Sequence, residues 1–310
     1  MTAMIQVVAG IIFDSDGRFL LARRPRGKVY EGFWEFPGGK VEKNECAAQA
    51  LVRELEEELG ITARKIQSWV QKKFRYPHGE VNIKFFKVHH WSGEITALES
   101  QELYWQKLGY LDVAPVLEPN IPILKSLHLP DHYLITNSVD VGEDTFLQLL
   151  PNIVSKAPQF IQIREKHLSK SDLEAFTKEV LSICRKSGSK VLLNSHIDIG
   201  DKLGVDGIHL TSYQLKSIAH RPDFELCAGS CHNRDDLETV DALGLDFAVL
   251  GPVKATDSHP EATPLGWHTF NAFIEGINTP VYGLGGLFEN DLRDAWAYGA
   301  VGTAMMRGAW

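Results

Sequence analysis

"GGKVEKNECAAQALVRELEEELGI", residues 38–61, packs four carboxylates, Glu54, Glu56, Glu57 and Glu58, into five positions. The pattern predicts an amphipathic helix from Ala47 to Leu59 with Gly60 as its C-cap. Like charges one turn apart weaken an isolated helix by about 0.2–0.5 kcal/mol per pair. Glu54 lies one turn from both Glu57 and Glu58, so these three converge on one face, and Glu56 points about 100° away. Three convergent carboxylates make poor helix electrostatics and good ligands for a hard divalent cation. A solvated acidic face is the competing reading of any charge run. Arg53 is placed to pair with Glu45 or with a member of the cluster.

Around this helix the residues alternate as strands. Residues 5–13 and 18–23 flank "DSDG" and predict a hairpin, and "WVQKKFRY" and "VNIKFFKVHHW" are further strands separated by "PHGE". "EPNIPILKSL" reads as a short helix, and the mixed α/β segment closes near residue 128. From Tyr133 the rhythm changes. Eight short apolar runs ("YLIT", "FIQIRE", "KVLLNS", "GIHL", "LCAGSCH", "FAVLGPV", "PVYGLGG" and "GTAMMRG") alternate with helical stretches such as "SDLEAFTKEVLSICRKSG". Parallel strands need crossover connections, so the count of eight favours a small (β/α)8 barrel over a doubly wound open sheet.

Composition fits this division. The chain of 310 residues is long enough for two domains. Residues 1–128 hold 17 Lys+Arg against 16 Asp+Glu, which leaves 15 against 24 for the remainder of a chain with formal charge −8. That balance argues against a nucleic-acid binder. Four cysteines are too few for a disulfide scaffold, and Cys227 and Cys231 read as small apolar residues on a strand. The N-terminus has no basic leader, and no apolar run reaches membrane-spanning length, so a soluble cytoplasmic protein is expected.

Gly39, Glu45, Arg53, Glu54, Leu55, Glu57, Glu58, Gly60 and Ile61 match G-x5-E-x7-R-E-U-x-E-E-x-G-U without a departure. The segment therefore resembles the Nudix hydrolases. "LLARRP", "FWEFPGGK" and "ESQELYW" resemble the MutT-type subgroup within them, which hydrolyses oxidised purine nucleoside triphosphates. The resemblance implies an α/β/α sandwich with a mixed sheet over residues 1–128 and a site for Mg²⁺, or Mn²⁺ in its place. The Gly38 carbonyl, Glu54, Glu57, Glu58 and Glu99 would hold the metal, with Arg53 completing the catalytic set. Arg24, Glu35, Phe36, Pro37 and Gly38 would line the nucleotide site, and Asn120 would read the purine edge, since an amide offers donor and acceptor together. Val29 stands where some MutT enzymes carry a nucleotide-binding histidine.

Residues 132–310 resemble the thiamine phosphate synthase/TenI family of small (β/α)8 barrels. "QIREK" matches its Q-x-R-x-K, which puts Gln162, Arg164 and Lys166 on one strand face. By this resemblance a phosphate site would draw on Arg164, Lys166, Ser230, His232, Thr256, Ser258, His259, Gly285 and Gly286. Three departures count against synthase chemistry. Asn194-Ser195 replaces the family's Asn-Asp, Thr211 to Gln214 ("TSYQ") replaces a second metal acid, and His259 replaces the lysine of the phosphate loop. Pro252 stands where the TenI tautomerases carry their histidine.

The implied function is metal-dependent pyrophosphohydrolysis of oxidised dGTP, a nucleotide-pool sanitation and DNA-repair role, joined to a barrel that binds a phosphorylated small molecule. Two alternatives stay open. One is a thiamine-pathway enzyme whose Nudix half hydrolyses pyrimidine or thiamine diphosphates. The other is a barrel that only senses a metabolite or builds a homodimer.

Overall fold

A computed structural model describes residues 4–76, 79–157, 159–256 and 261–310. The chain divides into two compact units, Met1–His128 and Leu129–Trp310. Among the described residues no helix is long and apolar enough to cross a membrane.

The first unit contains β1 (Ile5–Ile12), β2 (Phe19–Arg23), β3 (Trp34–Glu35), α1 (Ala47–Leu59), β4 (Thr62–Tyr76), β5 (Gly79–Ser92), β6 (Glu102–Gln106) and α2 (Ile121–Ser126). One sheet runs β1-β5-β4 with β1 parallel to β5 and β4 antiparallel to it; the other runs β3-β2-β6, all antiparallel. The hairpin expected at "DSDG" is corrected here. Among the described residues the two segments pair at the Phe13–Phe19 bridge and through the Asp14 amide on the Arg18 carbonyl, and β1 and β2 then enter different sheets. The turn itself forms, with the Asp14 side chain accepting from the amides of Asp16 and Arg18. Local turn chemistry is thus legible, whereas strand partners depend on which apolar faces find each other across the sequence.

Helix α1 buries Ala50, Leu51, Leu55 and Leu59 against the β1-β5-β4 side of the core, with Val8, Ile12, Ile61 and Val88. Gly60 closes it in the left-handed conformation at φ 67°, where a side chain would be strained. At the other end the Cys46 amide donates to the Gln49 side chain at 2.9 Å. The acidic face is left on the outside of this packing.

The second unit is a closed barrel of eight parallel strands: β7 (His132–Ile135), β8 (Phe160–Ile163), β9 (Lys190–Asn194), β10 (Gly207–Leu210), β11 (Leu226–Cys231), β12 (Phe247–Leu250), β13 (Val281–Leu284) and β14 (Gly302–Met305). Each coincides with one of the eight apolar runs, β7 starting one residue before its run, at His132. The helices between them are α3 (Ser138–Val141), α4 (Glu143–Val154), α5 (Lys170–Cys184), α6 (Ile197–Leu203), α7 (Ser212–Leu215), α8 (Arg234–Ala242), α9 (Gly266–Phe273) and α10 (Leu292–Ala297). Tyr133, Phe247 and Tyr282 fill the interior, with ring centroids 4.9 Å apart for Tyr133–Phe247 and 5.4 Å for Phe247–Tyr282. A packed interior leaves the C-terminal ends of the strands as the place for a ligand. Cys227 and Cys231 are buried on β11, and both thiols are held protonated by burial.

Candidate active sites

In the first unit the segment Pro37–Gly39 runs beside β1: the Val8 amide donates to the Gly39 carbonyl at 2.8 Å, and the Gly10 amide to the Pro37 carbonyl at 2.8 Å. This brings two glycines under the acidic face of α1. A Cβ on Gly39 would overlap the Glu54 carboxylate, and one on Gly38 (φ 147°) would overlap the Val8 carbonyl. Only glycine permits the approach. The Gly38 amide then donates to Glu58 Oε2 at 3.0 Å.

Arg53 organises the acids. Its guanidinium donates to Glu45 at 2.8 Å, Glu54 at 2.9 Å, Glu57 at 3.0 Å and the Lys40 carbonyl at 3.0 Å. Glu56 points elsewhere and accepts from Thr62. Glu99 comes from the loop before β6, which is pinned to the last turn of α1. The Leu98 amide and the Gln101 side-chain amide both donate to the Glu58 carbonyl, at 3.0 and 2.7 Å. Glu54, Glu58 and Glu99 line one cavity with Arg24, Lys28, Glu35, Pro37 and Gly38. Across it Lys28 pairs with Glu99 at 2.7 Å and Arg24 with Glu35 at 2.6 Å. Burial raises the carboxyls of Glu35 and Glu54, and pushes Glu58 up to about 8, with the neighbouring charges of Glu35, Glu54 and Glu99 adding to it.

Three expected residues stand apart. Phe36 is buried, with ring centroids 6.1 Å from Phe19 and 6.2 Å from Phe85, and serves the core. Asn120 is buried immediately before α2 and does not line the cavity; Glu57 is exposed at its edge and does not line it either. Among the described residues no group of three His, Cys, Asp or Glu side chains is closed around a common point. The donor set nevertheless fits a hard divalent cation. It is all oxygen, it is crowded with negative charge raised in pKa by burial, and a glycine cradle keeps side chains out of it. Lys28 and Gln101 were not singled out from the sequence, because a lone lysine and a lone glutamine carry no spacing signal.

In the second unit a cavity of about 440 Å³ opens at the C-terminal ends of the strands. Gln162, on β8, and Arg164 and Lys166, which follow the end of that strand at Ile163 rather than sharing a strand face with it, all line it, together with Ser230, His232, Thr256, Gly285 and Gly286. Ser258 and His259 lie outside the described residues. The glycines are needed for packing: a Cβ on Gly285 (φ 101°) would meet Pro252, and one on Gly286 (φ 61°) the Ala255 carbonyl. His232 Nδ1 lies 3.0 Å from the Gly251 carbonyl. His209, on β10, was overlooked in "GIHL". Its Nε2 lies 2.8 Å from Ser230 Oγ and its Nδ1 3.1 Å from the Tyr133 hydroxyl. Burial holds this imidazole neutral, its pKa lowered to about 3. A histidine at an inward position of an otherwise apolar strand was the available signal.

The positions where the resemblance calls for metal-binding acids are differently engaged. Ser195 takes φ 61°, and its hydroxyl donates to Asn194 Oδ1 at 3.4 Å. Gln214 caps α7 through Thr211 and donates to the Ser195 carbonyl at 2.8 Å. Amides and a hydroxyl already bonded to one another do not make a site for a divalent cation.

The fold agrees with comparisons to known proteins. Residues 8–126 match the NUDIX domain family, and residues 132–309 match the thiamine monophosphate synthase family. The chain therefore belongs to the thiamine monophosphate synthase family through its C-terminal half and to the Nudix hydrolases through its N-terminal half. An 8-oxo-dGTP diphosphatase of Haemophilus influenzae is 37% identical over 132 residues, 43% of this chain and 97% of that protein. A CTP pyrophosphohydrolase of Escherichia coli is 41% identical over 128 residues, 40% of this chain and 90% of its own. The second half is 34% identical over 180 residues to the "Putative thiamine-phosphate synthase 2" of Aquifex aeolicus, covering 57% of this chain and 96% of that protein. The protein is a hydrolase of the Nudix type joined to a synthase-like barrel.

Proposed function

We propose that the N-terminal unit is a Mg²⁺-dependent nucleoside triphosphate pyrophosphohydrolase that converts 8-oxo-dGTP to 8-oxo-dGMP and pyrophosphate. The observation behind this reading is one cavity lined both by the α1 acids and by Arg24 and Lys28. Acids alone would repel a triphosphate and cations alone would not hold a metal. Glu54, Glu57, Glu58, Glu99 and the Gly38 carbonyl would hold the cation, which supplies charge neutralisation to the phosphates and acidifies water. Arg53 fixes Glu54 and Glu57 in place, and Arg24 and Lys28 face the phosphate chain; Asn120, buried outside the cavity lined by these residues, would meet the base only once nucleotide is bound. The barrel binds a phosphorylated small molecule.

A second reading is favoured by the thiamine monophosphate synthase match in the same chain: the hydrolase would act on thiamine-type diphosphates. Steady-state kinetics of the full chain with 8-oxo-dGTP, dGTP, CTP and a thiamine-type diphosphate separates the two. The highest kcat/KM is expected for 8-oxo-dGTP; a preference for the thiamine-type diphosphate would replace the first reading by the second, and preference for CTP would move the base specificity to pyrimidines. Asn120→Ala should lower the preference for the oxidised base more than the overall turnover, by a factor corresponding to about 1–3 kcal/mol.

A further inference from the structure

We propose that the barrel mouth takes a phosphate-bearing ligand directly on Arg164 and Lys166, without a divalent cation between them. This rests on the phosphate-binding reading of the barrel and narrows it. Among the described residues lining the cavity there are three cationic side chains, Arg164, Lys166 and Arg307, and no aspartate or glutamate. Arg307 is already committed, donating to Asp140 at 2.8 Å. Arg164 and Lys166 are not: among the described residues no carboxylate lies within ion-pair distance of either. The nearest acid in sequence, Glu165, is turned away and buried, where it accepts from the Ser138 amide at 3.0 Å.

The segment that leaves the end of β8 turns both cations into the same cavity. They stand two residues apart, so each raises the cost of the other's charge. The Lys166 ammonium is pushed below its usual range first by Arg164 and then by burial, and Arg164 is pushed down by burial. A bound phosphate dianion removes that repulsion and can accept from the guanidinium fork and the ammonium together.

A cation bridge would need an acid at the mouth. The residues at those strand ends, Asn194, Ser195 and Gln214, are neutral and bonded to one another. Magnesium keeps a demanding octahedral shell, usually with at least one carboxylate from the protein, and the described lining offers none. The positive charge that a metal would bring is instead supplied by the chain.

Calorimetric titration of the full chain with pyrophosphate, in EDTA and in excess Mg²⁺, tests this. The inference expects one Lys166-dependent binding event in EDTA, no weaker than in Mg²⁺. Lys166→Met, a change at the exposed rim that leaves the core untouched, should weaken that event by about tenfold or more, and Lys166→Arg should restore much of it. Magnesium-dependent binding that persists in Lys166→Met belongs to the N-terminal unit. A Lys166-dependent event seen only with Mg²⁺ would overturn metal-free binding and leave the phosphate site standing. The absence of any Lys166-dependent event under both conditions would overturn the phosphate site itself.

Discussion

Glu58 concentrates the cost of the N-terminal site in one side chain. It is half-buried, and this burial together with the charges of Glu35, Glu54 and Glu99 raises its carboxyl to about 8 although it accepts from the Gly38 amide. Glu58→Gln keeps an oxygen for the Gly38 amide and removes the carboxyl whose ionisation the neighbouring acids oppose. The variant should keep its fold, with Tm unchanged or raised, and lose hydrolysis by about 100-fold or more. Near-normal turnover at saturating Mg²⁺ would remove Glu58 from the metal site. His209 gives a residue-scale prediction in the barrel. Its folded pKa of about 3 lies below the ordinary histidine value of 6.5, so the unfolded chain takes up a proton first as pH falls. The contribution to stability is complete above pH 6.5 and is lost progressively as pH falls from there towards 3. Urea unfolding between pH 7 and pH 5 should therefore show a slope approaching one proton, about 1.4 kcal/mol per pH unit, that is missing in His209→Asn.

At the scale of elements, α1 is held by its ends and by one face. Gly60 lies at φ 67°, and a Cβ on it would meet Thr96 and Leu98, the residues that seat the Glu99 loop. Gly60→Ala should destabilise the first unit by about 1–2 kcal/mol, the cost of a side chain in the left-handed region, measured by thermal unfolding. Gly39→Ala acts differently. Its Cβ would displace the Glu54 carboxylate, so activity should fall much further than stability. A variant that loses both in step would show Gly39 to be structural only. The register of α1 was legible from sequence because a 3.6-residue pattern and its capping glycine are local. The parting of β1 and β2 was not, since the Asp14 turn is local and the choice of partner is made by β5 and β6 far along the chain.

For the whole molecule, each unit has its own buried cluster. One is built around α1 and β1, and the other lies between the barrel strands and the surrounding helices. Residues 1–128 expressed alone should therefore fold cooperatively and retain the hydrolytic kcat/KM of the full chain within about threefold. Loss of activity on separation would mean that the barrel half supports the hydrolase. The full chain, incubated with the pyrimidine diphosphate and thiazole phosphate substrates of thiamine phosphate synthesis, should form no thiamine phosphate. Expulsion of diphosphate requires neutralisation of its charge, and Ser195 and Gln214 offer no carboxylate to anchor a metal.

Some of this was decided locally. The Ala47–Leu59 helix, its three-glutamate face and the eight barrel strands follow from periodicities of 3.6 and 2, which neighbouring residues carry by themselves. Other features exist only because distant segments meet. Glu99 joins the acids through backbone bonds from its loop to the last turn of α1. Lys28 reaches it from 71 positions away, and His209 gains its roles from Tyr133 and Ser230 on other strands. Phe36, which sequence reading set beside the nucleotide, went to the core, because a buried ring gains more from Phe19 and Phe85 than from a polar cavity. Chemistry along one helix face or one strand is written in spacing; chemistry assembled across loops is settled by packing.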